Sequence, residues 1–164
     1  KIVLEDERFP ICSGSGHPNK HHYGDGGLIE HTCEVIQLCE LNNQYLNVPI
    51  DEKKLFLAGL FHDCGKMWDY VKKGVWINTP HKNDIYHISR SSIVFRESFV
   101  KYPSFFNEED FDEILHAILA HHGRTDYGSP VVPNTKLAWL LHLCDSISAR
   151  IADCEKVDLT HYIK

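Results

Sequence analysis

The stretch Leu55-Phe56-Leu57-Ala58-Gly59-Leu60-Phe61 places apolar residues almost all round a helix, so a helix here has little solvent face and must be enclosed by others. Asp51 stands where an N-cap belongs, with a carboxylate to accept from the free amides of the first turn. Gly65 marks a stop. His62 and Asp63 are then expected in the last turn of this buried helix, which would carry an imidazole and a carboxylate into the interior.

Helical spacing recurs on both sides. Leu28, Val35 and Leu38 lie on one stripe of a helix from Leu28 to about Leu46, and His31, three residues after Leu28, shares it. Asn107 to His122 has the clearest pattern: Phe111, Ile114, Leu115, Ile118 and Leu119 repeat at three and four residues, His121 and His122 continue that face, and Gly123 ends it. A last helix from Thr135 to about Cys154 carries Asp145 on the stripe of Ala138, Leu141, Ala149 and Ala152. Between these, Met67–Tyr70 and Val75–Thr79 flank Lys72-Lys73-Gly74 and predict a small β-hairpin near 67–79. Asn83 or Asp84 is placed to cap a helix bearing His87, Ser91, Val94 and Phe95, ended by Pro103. The predicted fold is all-α, a bundle of about five to six helices with that hairpin. With 164 residues it forms one domain, 1–164, in which 1–27 are a lead segment and a loop rich in His and Gly, and 28–154 are the helical core.

The chain has 17 Lys and Arg against 23 Asp and Glu, a net charge of -6, which excludes a broad basic surface for nucleic acid. A nucleotide or nucleic-acid end held at a metal site is still allowed, because bound cations add charge that the residue count omits. The 6 cysteines, Cys12, Cys33, Cys39, Cys64, Cys144 and Cys154, include no CxxC pair and read as reduced thiols of a cytoplasmic protein. No apolar run approaches the roughly 20 residues of a membrane span, and no secretory leader is visible. The chain begins with Lys1 rather than Met, which leaves room for further domains or a homo-oligomer.

An ionised carboxylate buried without a partner costs several kcal/mol, so an inward Asp145 needs hydrogen bonds, an ion pair or a metal. Lys and Arg are sparse on the inward stripes, whereas histidines are concentrated there. One cation or two, held by His31, His62, Asp63, His87, His121, His122 and Asp145, satisfies all of them together. Mixed imidazole and carboxylate ligation suits a divalent transition metal, Mn, Fe, Ni, Co or Zn, with Mg also admitted. Each residue also has a plainer reading: a single inward histidine is more often a hydrogen-bonded core residue, and His121 and His122 also suit a helix C-terminus through its dipole. Among the other histidines, His116 faces away, His81 and His161 read as loop or terminal residues, and His142 either supports Asp145 or packs. His17, His21 and His22 are presented from the loop, with His22 the stronger contact to substrate.

In this order the residues resemble the HD-domain metal-dependent phosphohydrolase superfamily, in which a histidine, an HD pair, further histidines and an aspartate follow one another. HHYGDGGLIEHT (His21–Thr32), LAGLFHDCGK (Leu57–Lys66), AHHG (Ala120–Gly123), YGSPVVPNT (Tyr127–Thr135) and LLHLCDSISAR (Leu140–Arg150) are similar to the HD module of YhaM-type 3′-5′ exoribonucleases. Tyr86-His87-Ile88 differs from the family pattern in having no glycine before its histidine. The resemblance implies that His31, His62, Asp63 and Asp145 hold one metal and that Asp63 bridges to a second held by His87, His121 and His122.

The chemistry implied is hydrolysis of a phosphate ester of a nucleotide or nucleic-acid end by metal-activated water. Asp63 and Lys66 are the expected catalytic residues, and His22, Lys66, Arg90 and Arg124 the expected contacts to substrate. Its partners would be a phosphorylated small molecule, a nucleotide or short RNA or DNA, with no membrane. The rival reading is a nucleotide-binding regulatory HD module with little turnover. A closed structural metal site, usually rich in cysteine, fits this ligand set poorly.

Overall fold

The computed structural model describes residues 2–103 and 107–154 apart from the Cys154 side chain, so His161 and the Cys154 thiol lie outside the described residues. The chain is built from α1 (Gly27–Asn43), α2 (Glu52–Phe61), the single turn α3 (Lys66–Asp69), β1 (Tyr70–Lys73), β2 (Val75–Asn78), the single turn α4 (His81–Asp84), α5 (His87–Lys101), α6 (Glu108–Ala120) and α7 (Lys136–Cys154). The five long helices pack as a bundle: α2 lies against α1, α5, α6 and α7, α1 against α7, and α6 against α5 and α7. An all-α bundle with a small hairpin is therefore what forms.

The helix starts follow local chemistry. Asp51 Oδ1 accepts from Lys53 N and Lys54 N at 2.9 and 3.1 Å, and Asn107 Oδ1 accepts from Asp110 N at 2.8 Å. Each such cap is worth about 1 kcal/mol. Leu55, Ala58, Leu60 and Phe61 are buried, but Phe56 is 40% exposed, so α2 keeps one open face. The core continues through Phe61, Phe95, Phe111 and Phe99, whose rings meet in successive pairs with centroids 4.5–5.3 Å apart.

Four expectations shift. First, α2 stops at Phe61, and the backbone turns through His62–Gly65 before Lys66 N bonds Asp63 O at 2.9 Å and α3 begins. Second, Met67–Asp69 are helical, which shortens the hairpin to four antiparallel pairs from Tyr70↔Asn78 to Lys73↔Val75. Third, Asn83 and Asp84 belong to α4, and the residue before α5 is Tyr86, with φ 70 and no side-chain cap. Fourth, the lead segment and the His- and Gly-rich loop are packed. Val3, Phe9 and Cys12 enter the core, and Ser13 Oγ bonds Ser15 O at 2.6 Å and Gly24 N at 2.9 Å. The five described cysteines, Cys12, Cys33, Cys39, Cys64 and Cys144, are free. Among the described residues no helix is long and apolar enough to cross a membrane.

Candidate metal centre

Asp63 lies at the meeting point of α1, α5, α6 and α7, 1% exposed. Its Oδ2 is 3.3 Å from His31 Nε2 and 3.5 Å from His62 Nε2, and its Oδ1 is 3.3 Å from His87 Nε2 and 3.5 Å from His121 Nε2. Asp145 Oδ1 adds to the Oδ2 side, 3.0 Å from His31 Nε2. His122 Nε2 adds to the other, 3.4 Å from His87 Nε2. All seven residues expected as ligands thus fall into two groups that share Asp63: His31, His62, Asp63 and Asp145, and Asp63, His87, His121 and His122.

The five imidazoles point inward because each Nδ1 is held by a neighbour. His62 Nδ1 donates to Gly59 O at 2.7 Å, His121 Nδ1 to Ile118 O at 2.7 Å, and His122 Nδ1 to Tyr127 O at 2.6 Å. His87 Nδ1 donates to Asp69 Oδ2 at 3.1 Å. His31 Nδ1 donates to Ser148 Oγ at 2.9 Å, while that hydroxyl donates to Glu34 Oε2 at 2.7 Å. A neutral ring with its proton on Nδ1 directs the Nε2 lone pair at the centre, the arrangement that metal-ligating histidines adopt.

The donor set fits a cation. Asp63 Oδ1 and His121 Nε2 are buried without a hydrogen-bond partner among the described residues. His87 and His122 aim two lone pairs at each other with both protons engaged elsewhere. An unsatisfied buried acceptor costs about 1–3 kcal/mol, and a divalent cation removes that penalty for all of them.

Charge follows the same geometry. Burial raises the Asp63 carboxyl pKa, but the Lys66 ammonium, 2.6 Å from Oδ2, and the surrounding imidazoles outweigh it and hold the group well below its usual range. Asp145 is likewise held low, burial being overcome by its bond to His31. Burial pushes His62 down to about 4 and His122 to about 3, and it also lowers His87 against the pull of Asp69. His31 and His121 go the other way. Burial would lower them, but the carboxylates of Asp145 and Asp63 facing His31, and of Asp63 facing His121, draw charge onto the rings.

Above the centre lies a cavity of about 260 Å³ lined in part by Lys20, His21, Lys66, Tyr70, Lys82 and Tyr86, with no carboxylate in its wall. In a chain of net charge -6, that is a local surplus of positive charge suited to an anion. Lys66 is 6% exposed and serves both as counter-ion to Asp63 and as part of the cavity wall.

The other expected contacts to substrate are placed differently. Arg90 lies over the Trp68 ring at 5.2 Å and donates to His81 Nε2 at 3.1 Å, and Arg124 is exposed and paired with Asp126 at 3.0 Å. Neither lines the cavity. His22 is 8% exposed with φ 52, its Nε2 3.1 Å from Glu34 Oε2 and its ring 4.9 Å from that of His31, so it backs His31 instead of facing the cavity. His17 and His21 do reach the cavity wall.

His81, expected as a loop residue, is bound into the support of His87 through Asp69 Oδ1 at 2.8 Å. His142 bonds His121 O at 2.7 Å rather than Asp145, and His116 accepts from Asn134 N at 3.2 Å. The sequence reading missed Asp69, fully buried and holding both His81 and His87, together with Glu34 and Ser148. Tyr86 stands at φ 70 and ψ 146 where the family pattern has glycine, a sparsely populated conformation that costs a side-chain-bearing residue about 1–3 kcal/mol. Its ring packs against His87 with centroids 4.2 Å apart.

Residues 28–150 match the family model described as HD domain. The chain belongs to the HD domain family. Similar proteins include a dihydroneopterin 2′,3′-cyclic phosphate phosphodiesterase of Methanocaldococcus jannaschii, 26% identical over 82% of this chain and 51% of that protein. The 3′-5′ exoribonuclease YhaM of Shouchella clausii is 32% identical over 92% of this chain and 46% of its own, and that of Bacillus licheniformis 28% over 80% and 41%. The chain spans about half the length of these curated relatives. No solved structure matches it significantly.

Proposed function

We infer that this HD domain is a metal-dependent phosphohydrolase that cleaves a phosphate ester of a nucleotide or nucleic-acid end. The observation that carries this reading is the Asp63 carboxylate, with one oxygen in each of two imidazole-rich groups beneath a cavity walled by lysines. His31, His62, Asp63 and Asp145 would hold one divalent ion, and Asp63, His87, His121 and His122 a second. Such ions supply Lewis acidity and lower the pKa of a coordinated water to about 7. Asp63 fixes the spacing of the two groups. Lys66 spends one N–H on Asp63 and has others to donate to a phosphoryl oxygen, which orients the ester and offsets its charge.

The names of the relatives support this class, since the proteins similar to this chain are named as phosphodiesterases and exoribonucleases. The same proposal takes residues 1–164 as one cytoplasmic HD module. The test is elemental analysis of gently purified protein together with hydrolysis of bis(p-nitrophenyl) phosphate with Mn added. Wild-type protein should retain metal and hydrolyse the ester, and Asp63→Ala should lose both, activity by about 10³-fold or more. An Asp63→Ala protein with full metal and full activity would overturn the assignment.

A further inference from the structure

Lys82 and Tyr70 form a polar pair in the cavity wall that the hydrolytic reading leaves unused. Lys82, half-buried on α4, donates from Nζ to the Tyr70 hydroxyl oxygen at 2.6 Å and lies 4.4 Å from the centre of that ring. Among the described residues no carboxylate comes within 4.0 Å of this ammonium, whereas Lys66 is matched by Asp63 at 2.6 Å. The Tyr70 oxygen accepts the bond from Lys82, so its own O–H is left to donate, and no described residue accepts it. Tyr70 is 6% exposed. A half-buried ammonium that feels Asp69 and Asp63 only at a distance, and a buried hydroxyl without an acceptor, both gain from an anion with several acceptor oxygens.

The pair shares its cavity with Lys66, His87 and His122. At about 260 Å³ the space is smaller than the roughly 300–1,000 Å³ that holds a drug-sized ligand, so two anionic groups held in it are near neighbours.

We propose that Lys82 and Tyr70 form a second phosphate subsite, so that the preferred substrate carries a further phosphate one ribose away from the phosphate hydrolysed, as the end of an oligonucleotide does. The cleaved phosphate occupies the metal side of the cavity near Lys66, and its neighbour receives a charge-assisted bond from Lys82 and the hydroxyl of Tyr70. This rests on the proposed function.

The test compares the dinucleotide pApA with ApA, which lacks the 5′-phosphate, using Mn-loaded full chain. Wild-type protein should prefer pApA by roughly tenfold or more in kcat/KM, mostly through KM. In Lys82→Met the ratio should fall to about one, in Tyr70→Phe it should fall partway, and Lys82→Arg, which keeps the charge, should retain it. Equal kcat/KM for the two substrates in the wild type, or a ratio unchanged in Lys82→Met, overturns the subsite while leaving phosphohydrolysis standing.

If the wild type cleaves neither dinucleotide nor bis(p-nitrophenyl) phosphate, the proposed function fails instead, and the subsite is then read by binding alone. Calorimetric titration of the metal-loaded protein should give adenosine 3′,5′-bisphosphate roughly tenfold tighter binding than adenosine 5′-monophosphate, with the difference lost in Lys82→Met. Equal affinities overturn the subsite. Comparing pApA with the bisphosphate also separates a polymer end from a free nucleotide as the source of the second phosphate.

Discussion

On one side of Asp63, His31 reaches in from the second turn of α1, Asp145 from the middle of α7 and His62 from the end of α2, and on the other, His87, His121 and His122 come from the first turn of α5 and the turn after α6. The first group has a second carboxylate. The second has three imidazoles, only the shared carboxylate, a half-buried His122, and His87 and His122 in the cavity wall. Two carboxylates favour a hard, firmly held divalent ion, while an imidazole-rich set open to the cavity favours a softer ion that exchanges and meets substrate. Only the first group draws on helix interiors, through His31 and Asp145, whereas the second draws on helix ends alone.

The comparison breaks most sharply if the two halves respond alike to the loss of one ligand. Asp145→Asn should empty the first group, with activity down by about 10³-fold, whereas His122→Ala should release one equivalent of metal, keep the other and cost about 10²-fold. Metal per chain by elemental analysis, read beside kcat, checks the pair. Equal losses from both variants would show that the site binds its ions only as a unit. A smaller effect is expected from Asp69→Asn, which loosens His87. Loss of such a support typically weakens metal affinity 10–100-fold, here for the second group only, and competition with a chelator reads this while the first ion stays bound.

The remaining expected effect concerns pH and needs no substitution. His31 and His121 both have pKa values raised by facing carboxylates, so the metal-free protein carries protons there that an entering ion must displace. Affinity should therefore fall as pH drops through the region at and above 6.5, roughly tenfold per pH unit for each proton displaced. His62 and His122, held down to about 4 and 3, remain neutral across that range and add no slope. Proton release measured by calorimetry in two buffers of different ionisation enthalpy checks the sign, and a pH-independent affinity between 6 and 8 would remove this account.

The residues that the sequence disclosed and those it hid differ in one physical respect. His31, Asp145, His121 and His122 sit on or directly beyond long apolar stripes, where helical periodicity fixes the direction of a side chain. Asp69, His81 and Lys82 lie on single turns of four residues, too short for any period to register. Arg90 and Arg124 are candidates for a phosphate contact by residue type, and neither lines the cavity. The Trp68 ring and the Asp126 carboxylate take them instead, and neither contact has a signature in local sequence. The folding of the lead loop onto Val3, Phe9 and Cys12 was equally silent, because Gly- and Ser-rich segments read as unpacked unless their hydrogen bonds are known.

Gly65 joins these observations. It follows the His62-Asp63-Cys64 turn with its amide donating to Ser91 Oγ at 2.9 Å, and a Cβ added there would strike the backbone of His87, with the carbonyl oxygen of that residue nearest. The segment that delivers Asp63 therefore touches the segment that delivers His87 through bare main chain. The absence of a side chain at one position thus lets the two main-chain segments close up, and with them the two groups of side chains that meet at Asp63.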